Sequence, residues 1–325
     1  MMNRRPILSV KNLKVSFKMS DGFLPIVRGF DLDVEEGGLI GIVGESGSGK
    51  TVSVRSILGL LNSRISEIQA DRLEFRGRDL QTADEREVRS IRGRKIAYVF
   101  QDPGKTLNPR IPVGKQIEQT LKCHGVDQPR ERALGAMSSV GLDRPGEIYR
   151  RLPSQLSGGQ CQRVMIAQAV ALEPDLIIAD EPTSSVDAGL QQTILDLFAG
   201  LNRETGTAVV IISHDFDVVR YLCRNAVVMY GGLVMETGKI GAVLDSPAHP
   251  YSRELIRCTE SLAGFESPLY SLPGRPPTPR EFGGRCPFNE RCTDRTEECT
   301  KGVPDYVDID DRRVRCVRPS TRGVG

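Results

Sequence analysis

An α/β fold built on a parallel sheet is what this sequence predicts, and three observations carry the prediction. Short, continuously apolar runs recur at Leu39-Ile40-Gly41-Ile42-Val43, Leu176-Ile177-Ile178-Ala179 and Ala208-Val209-Val210-Ile211-Ile212. Strands buried on both faces read this way, because neither face meets water. Between them lie stretches with apolar residues at helical spacing, from Thr51 to Leu61 and from Gln160 to Leu172. Strands alternating with helices are the pattern of parallel sheets.

The remaining elements follow in chain order. Residues Leu8 to Phe17 alternate loosely, as an edge strand would, and give a small N-terminal β region, expected to be antiparallel. Ile96 to Phe100 reads as a further strand. Residues from about 102 to 155 are polar, with Pro103, Pro109, Pro112 and Pro129 breaking helical pieces, and a helical insert is expected near 102–160. From Ser246 onward Pro and Gly become frequent, as in Leu272-Pro273-Gly274-Arg275-Pro276-Pro277. A core domain over 1–245 and an accessory region over 246–325 are expected from that change.

Composition excludes several classes. With 325 residues, 39% hydrophobic and 26% charged, the chain can bury an ordinary globular core. A formal net charge of +2 gives no reason to expect a nucleic-acid partner. No segment approaches the roughly 20 apolar residues of a membrane span. The start, Met1-Met2-Asn3-Arg4-Arg5-Pro6, is positive but lacks a following apolar stretch of signal length. A cytosolic location is expected, with any membrane role borrowed from a partner. Eight cysteines in that setting argue against a disulfide framework.

The chemistry begins at Gly44-Glu45-Ser46-Gly47-Ser48-Gly49-Lys50-Thr51, which matches the pattern G-x-x-x-x-G-K-[ST] between a predicted strand and a predicted helix. Its glycines let backbone N–H groups converge on phosphate oxygens, and the helix start adds its positive dipole end. Lys50 is placed to reach the β- and γ-phosphates and Thr51 to ligate Mg²⁺, with Val52 next in the nucleotide-binding run. The run Leu176 to Ala179 ends in Asp180-Glu181, carboxylates at the C-terminal edge of a buried strand. Asp180 suits the Mg²⁺ shell, and Glu181 is the natural general base for an attacking water.

Leu156-Ser157-Gly158-Gly159-Gln160, some 20 residues before Asp180, narrows the choice. Ser157 suits a helix cap and the two glycines bare the backbone, so a second anion site can form there. This stretch resembles the signature of ABC ATPases, and other marks follow in that family's order. The resemblance implies a RecA-like P-loop core. It also implies a head-to-tail pair with two ATPs, each gripped by Ser157, Gly158, Gly159 and Gln160 of the opposite subunit. Gln101 resembles the glutamine that contacts Mg²⁺ and water, and His214 the histidine that holds the γ-phosphate. Phe17 resembles the adenine-stacking aromatic, with Phe23 as the other candidate. Ser184-Ser185-Val186-Asp187 resembles the loop that crosses to the partner's site, with Ser185-Val186 in place of the common Ala-Leu.

The resemblance narrows to ATPases of oligopeptide and dipeptide importers through Val99-Phe100-Gln101-Asp102-Pro103, Leu107-Asn108-Pro109, His249-Pro250-Tyr251-Ser252, Leu272-Pro273-Gly274, Cys286-Pro287-Phe288 and Arg291-Cys292. It implies a bacterial importer subunit on the cytoplasmic face of the inner membrane. The implied partners are two membrane permease subunits, a solute-binding protein outside the membrane and a second related ATPase, with a homodimer left open. Chelated nickel, glutathione, opines and antimicrobial peptides are alternative cargoes, and a soluble ABC ATPase without a transport role is the alternative of another class.

Cys286, Cys292, Cys299 and Cys316 are spaced C-x5-C-x6-C-x16-C, looser than a zinc knuckle. Thiolates on a Pro/Gly-rich segment point to a metal staple. The resemblance implies a [4Fe–4S] cluster, with zinc or plain thiols as the competing readings.

Overall fold

The computed structural model describes residues 6–184, 188–263 and 270–320. The chain divides into two compact units, residues 1–35, 39–82 and 213–325 forming the first, and residues 36–38 and 83–212 the second.

The first unit opens with strands β1 (Leu8–Met19), β2 (Gly22–Val34) and β3 (Leu39–Val43), then helix α1 (Lys50–Ile57) and strands β4 (Ser66–Gln69), β5 (Arg72–Phe75) and β6 (Arg78–Asp79). β1 is not an edge strand. It pairs antiparallel with β2 on one side and with β4 and β5 on the other. Its loose alternation follows from this: Leu8, Val10, Leu13 and Val15 are buried, while the covering strands lie more than 45 residues on, outside any local pattern. Helix α1 stops at Ile57, four residues before the predicted end at Leu61, and Gly59 then takes a left-handed φ of 59°.

The second unit carries α2 (Glu85–Ile91), β7 (Ile96–Val99), α3 (Pro103–Thr106), α4 (Val113–Cys123), α5 (Pro129–Ser139), α6 (Pro145–Ile148), α7 (Gly158–Val170), β8 (Leu176–Asp180), α8 (Ala188–Thr205) and β9 (Ala208–Ile212). β8 lies between β7 and β9, parallel to both, and is buried along its whole length. The prolines of the polar stretch begin helices more than they break them. Pro103 and Pro129 open α3 and α5, and Pro112 caps α4. A first-turn residue has no intrahelical use for its N–H, so proline's fixed φ comes without a lost hydrogen bond.

The chain then returns to the first unit as α9 (Phe216–Leu222), β10 (Asn225–Tyr230), β11 (Leu233–Lys239), α10 (Ile240–Asp245), α11 (Pro250–Ala263), α12 (Glu298–Lys301), β12 (Val307–Ile309) and β13 (Arg312–Val314). β3 runs parallel to β10, β10 antiparallel to β11, and β11 touches β2 in parallel. The sheet is therefore mixed. β13 adds antiparallel to β11, and Ser320 N–H donates to the Ala248 carbonyl, so the C-terminal residues fold back on the strands that precede them.

Candidate functional site

In the first unit, β3 delivers the chain into the Gly44–Thr51 loop, and α1 leaves it. Gly44 has φ +149°, and a Cβ there would lie 2.2 Å from the Met229 carbonyl oxygen, so only glycine fits against the end of β10. Gly49 caps α1 with φ 100°. The Lys50 ammonium is buried under the loop, donating to the Gly44 carbonyl at 2.6 Å and the Glu45 carbonyl at 3.0 Å, with Ser48 Oγ at 3.4 Å. The loop thus closes around a cation, with the α1 N–H groups at its end, which is the arrangement that accepts phosphate. Thr51 and Val52 follow in the first turn of α1, both half-buried.

The loop is held from outside as well. Gly232 N–H donates to the Ser48 carbonyl at 3.1 Å. Glu45 N–H donates to the Tyr251 hydroxyl at 2.9 Å, and the Glu45 carboxylate receives both Arg291 Nη1 and Nη2, at 2.7 and 3.1 Å. Phe17 sits opposite Leu24, and Phe23, 57% exposed, opposite Lys18 in the β1–β2 ladder. His214 is exposed just before α9, where Ser213 N–H donates to the Ile42 carbonyl and Asp215 caps the helix.

In the second unit, β8 carries Asp180 to a fully buried position, where Tyr98 donates its hydroxyl to Asp180 Oδ2 at 2.6 Å. Glu181 takes a left-handed φ of 47°, anchored by its own N–H to the Ile212 carbonyl. Such a backbone costs a non-glycine residue about 1–3 kcal/mol and is characteristic of functional positions. Gln101 Nε2 donates to Glu181 Oε2 at 2.7 Å, bringing together two residues that lie 80 positions apart in sequence. At α7, Ser157 Oγ accepts from Gln160 N–H, and Gln160 Oε1 accepts from Ser157 N–H. This reciprocal cap leaves Gly158 N–H at the helix start, while Gly159 approaches Leu190, whose Cδ1 would lie 2.6 Å from an added Cβ. Asp187, with Ser185 and Val186, lies outside the described residues.

The expected metal staple of the tail is corrected. Among the described residues, no three or more His, Cys, Asp or Glu side chains are grouped to hold a metal ion. Cys286 and Cys299 are buried, and Cys292 and Cys316 half-buried. Burial pushes the Cys286 and Cys292 thiols up to about 11 and raises Cys316. Cys316 Sγ instead accepts from Arg318 N–H, and Cys299 Sγ lies 3.6 Å from Thr296 Oγ1. The iron–sulfur cluster and its zinc alternative are therefore both withdrawn.

Sequence reasoning missed Tyr98 as a partner of Asp180, and Tyr251 and Arg291 as partners of the phosphate loop. The last two stood within quoted motifs, but nothing in their local pattern ties them to a loop more than 200 residues earlier.

The ABC transporter family profile matches residues 27–184, and the profile for the oligopeptide/dipeptide transporter C-terminal region matches residues 235–299. The dipeptide transport ATP-binding protein DppD of Escherichia coli is 38% identical over 317 residues, covering 96% of this chain and 97% of that one. The chain belongs to the ABC transporter ATP-binding family. It is an ATPase. The DppD protein of Bacillus subtilis is 38% identical over 95% of this chain and 94% of its own. The oligopeptide transport ATP-binding protein OppD of Haemophilus influenzae is also 38% identical, over 90% and 91% of the two chains. Among solved structures, the ATP-binding cassette MJ0796, a dimer in a post-hydrolysis state with ADP and Pi, matches this ABC ATPase with a TM-score of 0.62 and 30% identity. That match covers 72% of this chain and 98% of the other. No helix among the described residues is long and apolar enough to cross a membrane.

Proposed function

We propose that this ATPase powers the uptake of dipeptides or oligopeptides, bound to the cytoplasmic face of the cell membrane beneath two permease subunits. The observation that carries the reading is the match of residues 235–299 to the oligopeptide/dipeptide transporter C-terminal region, within a likeness to peptide-transport ATPases that runs almost end to end. A second, related ATPase subunit and an extracytoplasmic solute-binding protein complete the proposed complex. Residues 1–245 are taken as the nucleotide-binding domain, its helical part near 102–160 facing the permeases, and residues 246–325 as an accessory region without a metal.

The roles proposed for the site residues are supported by the geometry of the phosphate loop and of the Gln101–Glu181 pair, and otherwise by the family resemblance. The Gly44–Val52 backbone and Lys50 bind the phosphates of ATP, with Phe17 against adenine. By the family resemblance, Thr51, Gln101 and Asp180 would hold Mg²⁺; their hydroxyl, amide and carboxylate oxygens are donors of the kind that ion takes, and bound it would neutralise charge on the phosphates. Glu181 accepts the proton of the attacking water, and Gln101 orients the Glu181 carboxylate for it. His214 holds the γ-phosphate. Ser157, Gly158, Gly159, Gln160 and Asp187 serve the opposite subunit's nucleotide, the α7 start supplying its N–H groups.

Co-expression with the neighbouring permease and ATPase genes, followed by uptake of labelled dipeptides into vesicles loaded with ATP, tests the reading. ATP-dependent uptake that unlabelled dipeptide abolishes is expected. ATP hydrolysis stimulated by a different solute class, with no dipeptide uptake, would overturn the cargo while leaving the ATPase standing.

A further inference from the structure

The phosphate loop of this chain is gripped by its own C-terminal residues, and the grip is built rather than incidental. The Arg291 guanidinium has five N–H donors, and the first unit supplies a partner for each. Nη1 donates to Glu45 Oε2 at 2.7 Å and to the Tyr230 hydroxyl at 3.0 Å. Nη2 donates to Glu45 Oε1 at 3.1 Å and to the Leu272 carbonyl at 3.4 Å, and Nε to the Pro273 carbonyl at 2.8 Å. The Arg291 side chain is only 6% exposed. With every donor used, this cation is no free ligand for a phosphate. Its fixed orientation is spent on the Glu45 carboxylate.

A second contact acts on the same residue from another element. Tyr251, on α11, accepts the Glu45 N–H at 2.9 Å. Its ring packs on Tyr230 at 4.4 Å and on Phe288 at 5.3 Å, and Tyr230 packs on Phe288 at 5.4 Å. The aromatic trio joins the end of β10, α11 and the turn that carries Arg291 into one rigid support. Glu45 is thereby fixed at both its backbone and its side chain, one residue after Gly44 and five before Lys50. The Glu45 carbonyl itself receives the Lys50 ammonium. Any shift of Glu45 therefore moves an acceptor of the phosphate-binding lysine.

We propose that Arg291 is a positioning residue for the phosphate-binding loop: with Tyr251 it clamps Glu45, so that the C-terminal segment sets the affinity of this ATPase for ATP. The clamp acts on binding and leaves the hydrolytic step, carried by the second unit's residues, untouched. It rests on reading Gly44–Thr51 as the phosphate cradle. A bidentate carboxylate–guanidinium pair demands planar geometry, which a lysine cannot reproduce.

The test is ATP hydrolysis by the reconstituted transporter and binding of a fluorescent ATP analogue to the full chain. The variants are Arg291→Gln, Arg291→Lys, Glu45→Gln, Arg291→Gln/Glu45→Gln and Tyr251→Phe. Arg291→Gln and Glu45→Gln are each expected to raise KM for ATP about tenfold with kcat within about twofold. The double variant should be no worse than either single, because both remove one contact. Arg291→Lys recovers part of the loss. Should Arg291→Gln fail to fold, Tyr251→Phe, which deletes only the hydroxyl that Glu45 N–H reaches, is expected to raise KM about threefold. Losses that multiply in the double variant, an unchanged KM in Arg291→Gln or in Tyr251→Phe, or a fall in kcat at constant KM would overturn the proposal. Lys50→Ala serves as the control: if it still binds the analogue at wild-type affinity, the reading of the cradle fails rather than the clamp.

Discussion

Gln101 Nε2 stands 2.7 Å from Glu181 Oε2, and the glutamate that receives it holds a left-handed backbone at φ 47°. A strained residue whose side chain is tethered by a neutral donor is fixed in direction. The amide engages one carboxylate oxygen, Oε2.

Glu181→Gln removes the proton acceptor and keeps the shape. Turnover of the reconstituted complex is expected to fall by about 10²–10⁴-fold, as for loss of a general base, while ATP binding stays within about twofold. Single-turnover hydrolysis and nucleotide binding, measured side by side, check this. Undiminished turnover would place the base elsewhere. Gln101→Ala should cost less, about tenfold in kcat, since the base survives while its orientation and one oxygen donor to Mg²⁺ are lost.

Tyr98 donates to Asp180, which is fully buried. Tyr98→Phe deletes that one donor and keeps the ring. A buried carboxylate missing a donor costs about 1–3 kcal/mol in stability. Chemical denaturation should show that loss, and the Mg²⁺ concentration giving half-maximal hydrolysis should shift by severalfold. A midpoint and a Mg²⁺ dependence both equal to wild type would show that the hydroxyl does not position Asp180.

Gly114 lies in the first turn of α4 with the Tyr149 ring over it, and an added Cβ would sit 2.0 Å from Tyr149 Cδ2. The ring cannot swing away, because it is buried and its hydroxyl donates to Glu118, whose carboxyl is held down at about 2 by hydrogen bonds from Lys122, Tyr149 and Lys115. Gly114→Ala should destabilise the second unit by about 1–3 kcal/mol, the usual cost of overpacking. Urea denaturation measures it, and a change below about 0.5 kcal/mol would mean the α4–Tyr149 contact yields.

The buried strands and the phosphate loop were legible because their signals are local. The run Leu39–Val43 ends in Gly44, and Leu176–Ala179 ends in Asp180-Glu181, so strand and chemistry sit within one window of sequence. The setting of β1 was not legible, since its second neighbours are β4 and β5, and loosely alternating residues say nothing of distant pairing. The clamp on Glu45 escaped for the same reason: Arg291 and Glu45 are 246 residues apart, and only the folded chain makes them neighbours. The tail cysteines misled in the opposite direction. Their spacing invited a metal, yet spacing alone does not fix where the sulfurs point, and among the described residues they are not grouped to hold one.

His249 gives the first unit a pH dependence with a definite sign. It is buried, its Nδ1 accepts from Tyr251 N–H at 2.9 Å, and burial pushes its imidazole down to about 3. The unfolded chain binds a proton near the ordinary 6.5, whereas the folded chain refuses one until about 3. Stability from this group is complete above 6.5 and drains as the pH falls from there towards 3. Between pH 7.5 and 5.5 its share of the loss is about 1.4 kcal/mol. His249→Gln keeps an acceptor and a donor but has no proton to gain. Denaturation of the two proteins at both pH values should show the wild type losing about 1.4 kcal/mol more than the variant over this interval. Parallel losses would mean that His249 is reached by protons in the folded state, and that its contact with Tyr251, the residue that holds Glu45, opens in mild acid.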